Sequence, residues 1–192
     1  IVALSALENG IIDAKFKVQC KGKMELHGQT FHCWKEKGHG YVSLKNAMKQ
    51  SCDTYFYEVS RKLGVDRLKI TADKFGLGKK VLGEYFENEK AGQFPDTKWK
   101  INKLGKGWVL GETLITGIGQ GYTQTTPIQL CLMTAQIANG GYKITPKILT
   151  DDNELTSEQV KKAMLDSKIN NSYEPLYDDQ KNIRIVQEAM FS

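Results

Sequence analysis

Arginine is almost missing from this chain of 192 residues: Arg61, Arg67 and Arg184 are the only ones among 27 basic side chains. Phosphate forks and base readout favour the planar guanidinium, so the net charge of +5 does not point to nucleic acid. The lysines are spread along the chain rather than gathered in one block, which suits a solvated surface. No run approaches the roughly 20 apolar residues of a membrane span, and no signal peptide opens the chain. Also absent are internal repeats, low-complexity tracts and a Met before Ile1. What is present is ordinary: 40% hydrophobic, 26% charged and 9% aromatic residues, enough for a real core and too apolar for disorder. The length fits one domain or two small ones.

Residues 1–10 read as the end of a helix stopped by Gly10, without a capping residue at its start. Residues 182–191 carry apolar side chains at helical spacing and then halt at Ser192 without a terminator. Both ends look cut through regular structure, so a fragment is expected. Residues 11–42 lack helical period and read as extended segments with turns at Gly22, Gly28, Gly38 and Gly40. Ser43 stands where a cap belongs, before Leu44, Ala47, Met48, Tyr55, Phe56, Val59 and Leu63 on one face, ending at Gly64. Ser51-Cys52-Asp53 interrupts that stripe, leaving either one helix or two.

Asp66 is placed to cap a helix reaching about Phe75, and 79–112 reads as mostly irregular, with Trp99 and Trp108 anchored on a core. Thr126-Pro127 opens a helix with proline in its first position, apolar at Ile128, Leu132, Ala135 and Ile137, stopped by Gly140-Gly141. Residues 142–146 and 148–149 look strand-like, 157–168 reads as a polar surface helix, and 151–153 and 170–172 as solvent loops.

Cys20, Cys33 and Cys52 cluster in the first quarter of the chain, with His39 among them and Cys131 far away in an apolar helix. Three thiolates and one imidazole form a tetrahedral zinc set, although the Cys-x2-Cys knuckle is lacking. A disulfide or plain buried thiols are the competing readings, and the odd number favours a metal. His39, between two glycines, is the stronger imidazole; His32 points away from its neighbour Cys33 in an extended segment, and the loop of His27 offers no support. Ser51 and Asp53 draw notice because they break the helix pattern that surrounds them. The run Gly117-Ile118-Gly119-Gln120-Gly121-Tyr122 lacks the Lys-Ser/Thr of a phosphate loop, so a tight backbone approach or a groove floor is the better reading.

Residues 117–122 with Thr126-Pro127-Ile128-Gln129 and Ala138-Asn139-Gly140-Gly141 resemble the transpeptidase domain of class B penicillin-binding proteins. Trp34-Lys35, Gly38-His39-Gly40 and residues 50–57 are similar to its elongation-type members. The resemblance covers about residues 1–150 of the chain. It implies an α+β fold: an incomplete penicillin-binding or serine beta-lactamase-like transpeptidase domain, mostly its helical part with short strands, over 1–192.

Of the family's three motifs, Ser-x-x-Lys, Ser-x-Asn and Lys-Thr/Ser-Gly, only the middle one is present, as Ser51-Cys52-Asp53. The first is expected upstream of Ile1 and the third downstream of Ser192. Asp replaces the usual Asn, which changes what the site can donate, because a carboxylate only accepts.

The implied activity is peptidoglycan D,D-transpeptidation during wall elongation, with beta-lactams acylating the upstream Ser, and this chain alone inactive. Ser51 is then a proton relay and Asp53 a holder of the substrate amide or of the loop. Elongation-type members include ones with a zinc site beside the middle motif, so Cys20, Cys33, His39 and Cys52 are implied as ligands of one structural Zn2+. The implied partners are the stem peptide, beta-lactams and elongation-complex membrane proteins including a glycosyltransferase, with no nucleic acid. The implied place is the periplasmic face of the bacterial inner membrane. A D,D-carboxypeptidase or serine beta-lactamase of the same fold, and a non-catalytic zinc-containing sensor or structural module, are the alternatives.

Overall fold

Glycine and short polar segments divide the chain into brief elements. The computed structural model describes residues 1–83, 86–146, 158 and 174–191. Helix α1 (Val2–Glu8) leads into four short strands, β1 (Lys17–Cys20), β2 (Lys23–Leu26), β3 (Gln29–His32) and β4 (Gly40–Ser43). Helices α2 (Leu44–Lys49), α3 (Asp53–Leu63), α4 (Val65–Lys74), α5 (Thr97–Leu104), α6 (Leu110–Thr116) and α7 (Pro127–Ala138) follow, and α8 (Lys181–Met190) comes last among the described residues. The mixed helix and short-strand content agrees with the α+β expectation.

The strands form two separate antiparallel pairs, β1 with β4 and β2 with β3. Their register places Cys20 opposite Gly40 and Lys23 opposite His32. All four glycines expected to turn this region have positive φ, which costs a glycine little.

Beneath the strands, α3 is the central helix. It packs on α1 in the cluster of Leu4 and Tyr55, on α6 in that of Tyr57 and Leu114, and on β1. Tyr55, Phe75, Leu4 and Ile183 are among the fully buried side chains of this core. Between α1 and α4 lies a buried polar seam: the Thr71 hydroxyl donates to Ser5 Oγ at 2.9 Å, and Ser5 Oγ donates to the Arg67 carbonyl at 3.2 Å.

Several boundaries differ from the sequence reading. Ser43 occupies the N-cap position of α2 without a side-chain capping bond. Helix α4 begins at Val65 after Gly64, and Asp66 instead accepts from the Thr97 N–H and hydroxyl, both at 3.0 Å. Residues 79–112 are more regular than expected. Asp96 caps α5 by accepting from the Trp99 N–H at 2.6 Å, and Gly105 closes it in the left-handed conformation. Trp99 and Trp108 are half-buried, their rings 5.2 and 6.4 Å from that of Tyr122.

Helix α7 begins with the expected Thr126-Pro127, but its buried face includes two polar residues, Gln129 and Gln136. Gln129 Nε2 donates to the carbonyls of Lys79 and Ala91 at 2.6 and 2.7 Å, stitching the preceding irregular stretch onto the helix. Of the strand-like stretch 142–146, only Tyr142 pairs, with Pro175. The strand at 148–149, the helix at 157–168 and both solvent loops lie outside the described residues, apart from Glu158.

Candidate functional site

The interrupted helix resolves as two. Helix α2 ends at Lys49, α3 begins at Asp53, and the three residues between hold the turn on which Ser51 sits. Ser51 is exposed and has φ 49, one of two non-glycine residues in the left-handed region among the described residues. Such a conformation is costly for a side chain with a Cβ and is characteristic of positions held by their surroundings. A cleft of about 510 Å3 opens beside it, lined by Trp34, Lys35, His39, Lys49, Gln50 and Ser51.

The next residue, Cys52, points the other way and is fully buried. There it meets Cys20, Cys33 and His39, and the four ligand atoms lie within 4.8 Å of one another. Nδ1 of His39 stands 3.5 Å from Cys20 Sγ and 3.6 Å from Cys33 Sγ. Tetrahedral zinc, about 2.3 Å from sulfur and about 2.0 Å from nitrogen, sets nitrogen–sulfur edges of about 3.5 Å. The donor set and its spacing therefore fit a structural metal. All three cysteines are free thiols, His32 and His27 are exposed outside the cluster, and Cys131 is exposed on α7.

Backbone geometry makes the cluster possible. Cys20 ends β1, Cys33 follows β3, and the Cys33 N–H donates to the Gly22 carbonyl at 2.8 Å. The two ligand-bearing loops cross so closely that a Cβ on Gly22 would lie 1.9 Å from the Glu36 carbonyl oxygen. One on Gly38 would lie 2.2 Å from that of Cys20.

Electrostatics in the cluster are unequal. Burial pushes the Cys20 thiol up, but the nearness of the Thr54 hydroxyl, the Gly22 N–H and His39 outweighs it and brings the thiol down to about 6. Burial, followed by the proximity of Cys20 and Cys33, pushes Cys52 up to about 12. Three buried thiolates repel one another unless a cation stands between them.

Asp53 faces neither the cluster nor open solvent alone. Its Oδ2 accepts the Trp34 backbone N–H at 2.9 Å, while Trp34 Nε1 donates to the Gln50 carbonyl at 3.0 Å. Trp34 also sets its ring edge-on to His39, centroids 5.3 Å apart. Sequence reasoning missed Trp34 as a site residue; its position directly after a cysteine of the cluster was the available signal.

The glycine-rich run lies behind the motif helix. Gly117 ends α6, and a Cβ there would stand 1.9 Å from Ser60 Oγ on α3, so α6 seats closely on α3. Gly119 and Gly121 then turn the chain with positive φ. Tyr122 reaches back to Glu112 Oε1 at 3.2 Å, where the buried Lys100 ammonium is also bound.

Known proteins are similar to this chain over most of its length. Peptidoglycan D,D-transpeptidase MrdA of Acinetobacter baumannii is 35% identical over 170 residues, covering 88% of this chain and 25% of that protein. MrdA of Escherichia coli K12 is 35% identical over 150 residues, covering 77% of this chain and 24% of that protein. The chain thus spans about a quarter of the length of these curated relatives.

Among solved structures, Pseudomonas aeruginosa PBP2 in complex with WCK 5153 superposes with a TM-score of 0.80 at 36% identity, over 98% of this chain and 40% of that one. PBP2 of Helicobacter pylori in complex with MreC superposes with a TM-score of 0.83 at 28% identity, over 99% of this chain and 33% of that one. The description "Penicillin binding protein transpeptidase domain" matches residues 1–183, a span that holds the two-helix turn, the buried thiol cluster and the glycine run together. By that match and these relatives, the chain belongs to the penicillin-binding protein transpeptidase domain family.

Proposed function

We propose that the whole protein is a serine-type peptidoglycan D,D-transpeptidase of the wall-elongation machinery, and that this chain supplies the middle part of its catalytic domain. The observation that carries the reading is Ser51. It stands exposed at a strained turn, beside a cleft, in a chain matched over residues 1–183 by the transpeptidase family. Relatives named peptidoglycan D,D-transpeptidase support the reaction class.

In this reading a serine from the Ser-x-x-Lys motif, on a part of the protein preceding Ile1, attacks the D-Ala-D-Ala carbonyl of one stem peptide. D-Ala leaves, and the amine of a neighbouring stem takes over the acyl group. Beta-lactams acylate the same serine. The Ser51 hydroxyl, which both donates and accepts, relays a proton to the departing amine and back. Its exposure on the cleft wall leaves it accessible to such a substrate.

Cys20, Cys33, His39 and Cys52 would hold one structural zinc ion. Four protein ligands leave it no open position, so its contribution is cross-linking rather than chemistry. That cross-link joins β1, the loop after β3 and the start of α3, placing Cys52 as a fixed point between Ser51 and Asp53.

The structure of the Helicobacter pylori relative with MreC supports a membrane-associated elongation complex as the setting. The protein then works at the periplasmic face of the inner membrane, anchored by a segment elsewhere in the protein. Among the described residues no helix is long and apolar enough to cross a membrane. The test is acylation of the whole protein by fluorescent penicillin. Ser51→Ala is expected to slow it by about 100- to 10,000-fold, as for loss of a positioned proton relay. An unchanged rate removes Ser51 from the mechanism.

A further inference from the structure

The last residue of the motif presents a carboxylate, which has acceptors and no donor. We propose that Asp53 is a positioning residue: by accepting the Trp34 N–H it fastens the loop bearing Cys33 and His39 to the turn bearing Ser51. This rests on the transpeptidase reading and explains how that site is assembled.

The break has no side-chain cap of its own, since Cys52, the N-cap of α3, makes no side-chain capping bond. Main-chain bonds from Ser51 and Cys52 run back only to Met48 and Ala47 of α2. Trp34 supplies what is missing. Its backbone N–H is held by Asp53 at 2.9 Å and its indole N–H by the Gln50 carbonyl at 3.0 Å, so it bridges the chain on both sides of Ser51.

The same indole is 64% exposed. A tryptophan left so open would ordinarily sample several rotamers. Here both of its N–H donors are engaged and its ring edge rests against His39, so it stands as a fixed wall of the cleft beside Ser51. An acceptor-only side chain is well matched to a backbone N–H. On this account, the exchange of amide for carboxylate leaves the clasp intact, because an Asn carbonyl oxygen can accept the same bond.

The experiment uses the whole protein with Asp53→Asn and Asp53→Ala. Three quantities are measured: acylation by fluorescent penicillin, bound zinc, and the Trp34 signal in fluorine NMR of fluorotryptophan-labelled protein, assigned by its loss in Trp34→Phe. Asp53→Ala is expected to shift and broaden the Trp34 signal, lower zinc retention and slow acylation by about tenfold or more, as for a lost hydrogen bond to a charged group. Asp53→Asn is expected to keep the Trp34 signal in place and restore most of the acylation.

The proposal is overturned if Asp53→Asn is as damaging as Asp53→Ala, since charge would then be the active property. It is also overturned if Asp53→Ala leaves the Trp34 signal unmoved. Should the alanine variant fail to fold, the asparagine variant against wild type decides alone. Failure of the wild-type whole protein to be acylated by penicillin would count against the transpeptidase reading itself. A dead Ser51→Ala beside an equally dead Asp53→Asn would count against the clasp only.

Discussion

Serine 51 holds a backbone conformation that glycine would adopt at little cost, with φ 49. Relief of that strain and loss of the hydroxyl can be separated. Ser51→Gly should be more stable than Ser51→Ala by about 1 kcal/mol, seen as a higher Tm, while both lose penicillin labelling. Equal melting of the two variants would mean that the turn relaxes away from its strained form. At Gly38 the opposite holds, because φ is +75 and a Cβ would press on the Cys20 carbonyl oxygen at 2.2 Å. Gly38→Ala should therefore separate the ligand loops and lower zinc content and Tm together, measured by metal analysis and calorimetry.

At this scale the sequence was informative about residue types and silent about partners. The three cysteines and His39 were readable from chemistry, and the structure gathers their ligand atoms. Asp53 was readable as part of a motif, but its Trp34 partner lies 19 residues away across two loops, a distance no local pattern spans.

Among elements, the seating of α6 on α3 determines how the motif helix is backed. The Gly117 contact with Ser60 leaves no room for a methyl group. Gly117→Ala should cost about 1–3 kcal/mol by overpacking, read from denaturant unfolding. On the outer side of α6, burial works against the charge of Glu112, yet Lys100, the Val109 N–H and the Tyr122 hydroxyl outweigh it and hold the carboxyl below its usual range. Lys100 is itself buried, so Glu112→Ala leaves an uncompensated cation and should destabilise by about 3 kcal/mol.

The pH dependence has a definite sign. Because Glu112 titrates lower in the folded state, its stabilisation is present above the ordinary carboxylate pKa and is lost as pH falls through the folded value. Acid unfolding profiles of wild type and Glu112→Gln should accordingly converge at low pH.

Helix α5 shows why the region before α6 read as irregular. Asp96 and Gly105 were in the sequence as cap signals, but between them Lys98, Lys100 and Lys103 interrupt any apolar stripe. The helix is held by its caps and the Lys100–Glu112 pair, neither of which is a periodic hydrophobic signal. In α7 the period was legible, while Gln129 escaped notice because a buried amide with three partners looks polar in sequence.

Over the whole molecule, the regular parts were legible where one apolar face repeats, as in α3 and α8, or where glycine forces a turn. Family membership was expected from the resemblance carried by residues 34–40, 50–57, 117–129 and 138–141, and the match over residues 1–183 bears it out. What holds residues 17–43 was not legible from period, since β1–β4 bury only one or no residue each. Strands so short and exposed need another source of order, and the proposed tetrahedral zinc cross-link from residue 20 to residue 52 would provide one.

Metal content of the whole protein, purified under reducing conditions and denatured with thiol quantification, tests this central claim most directly. The account predicts one zinc ion per chain, lost together with thermal stability in Cys33→Ser and His39→Ala, with Ser51-dependent acylation falling alongside. A fully folded, acylation-competent protein without zinc, carrying a disulfide among Cys20, Cys33 and Cys52, would contradict it.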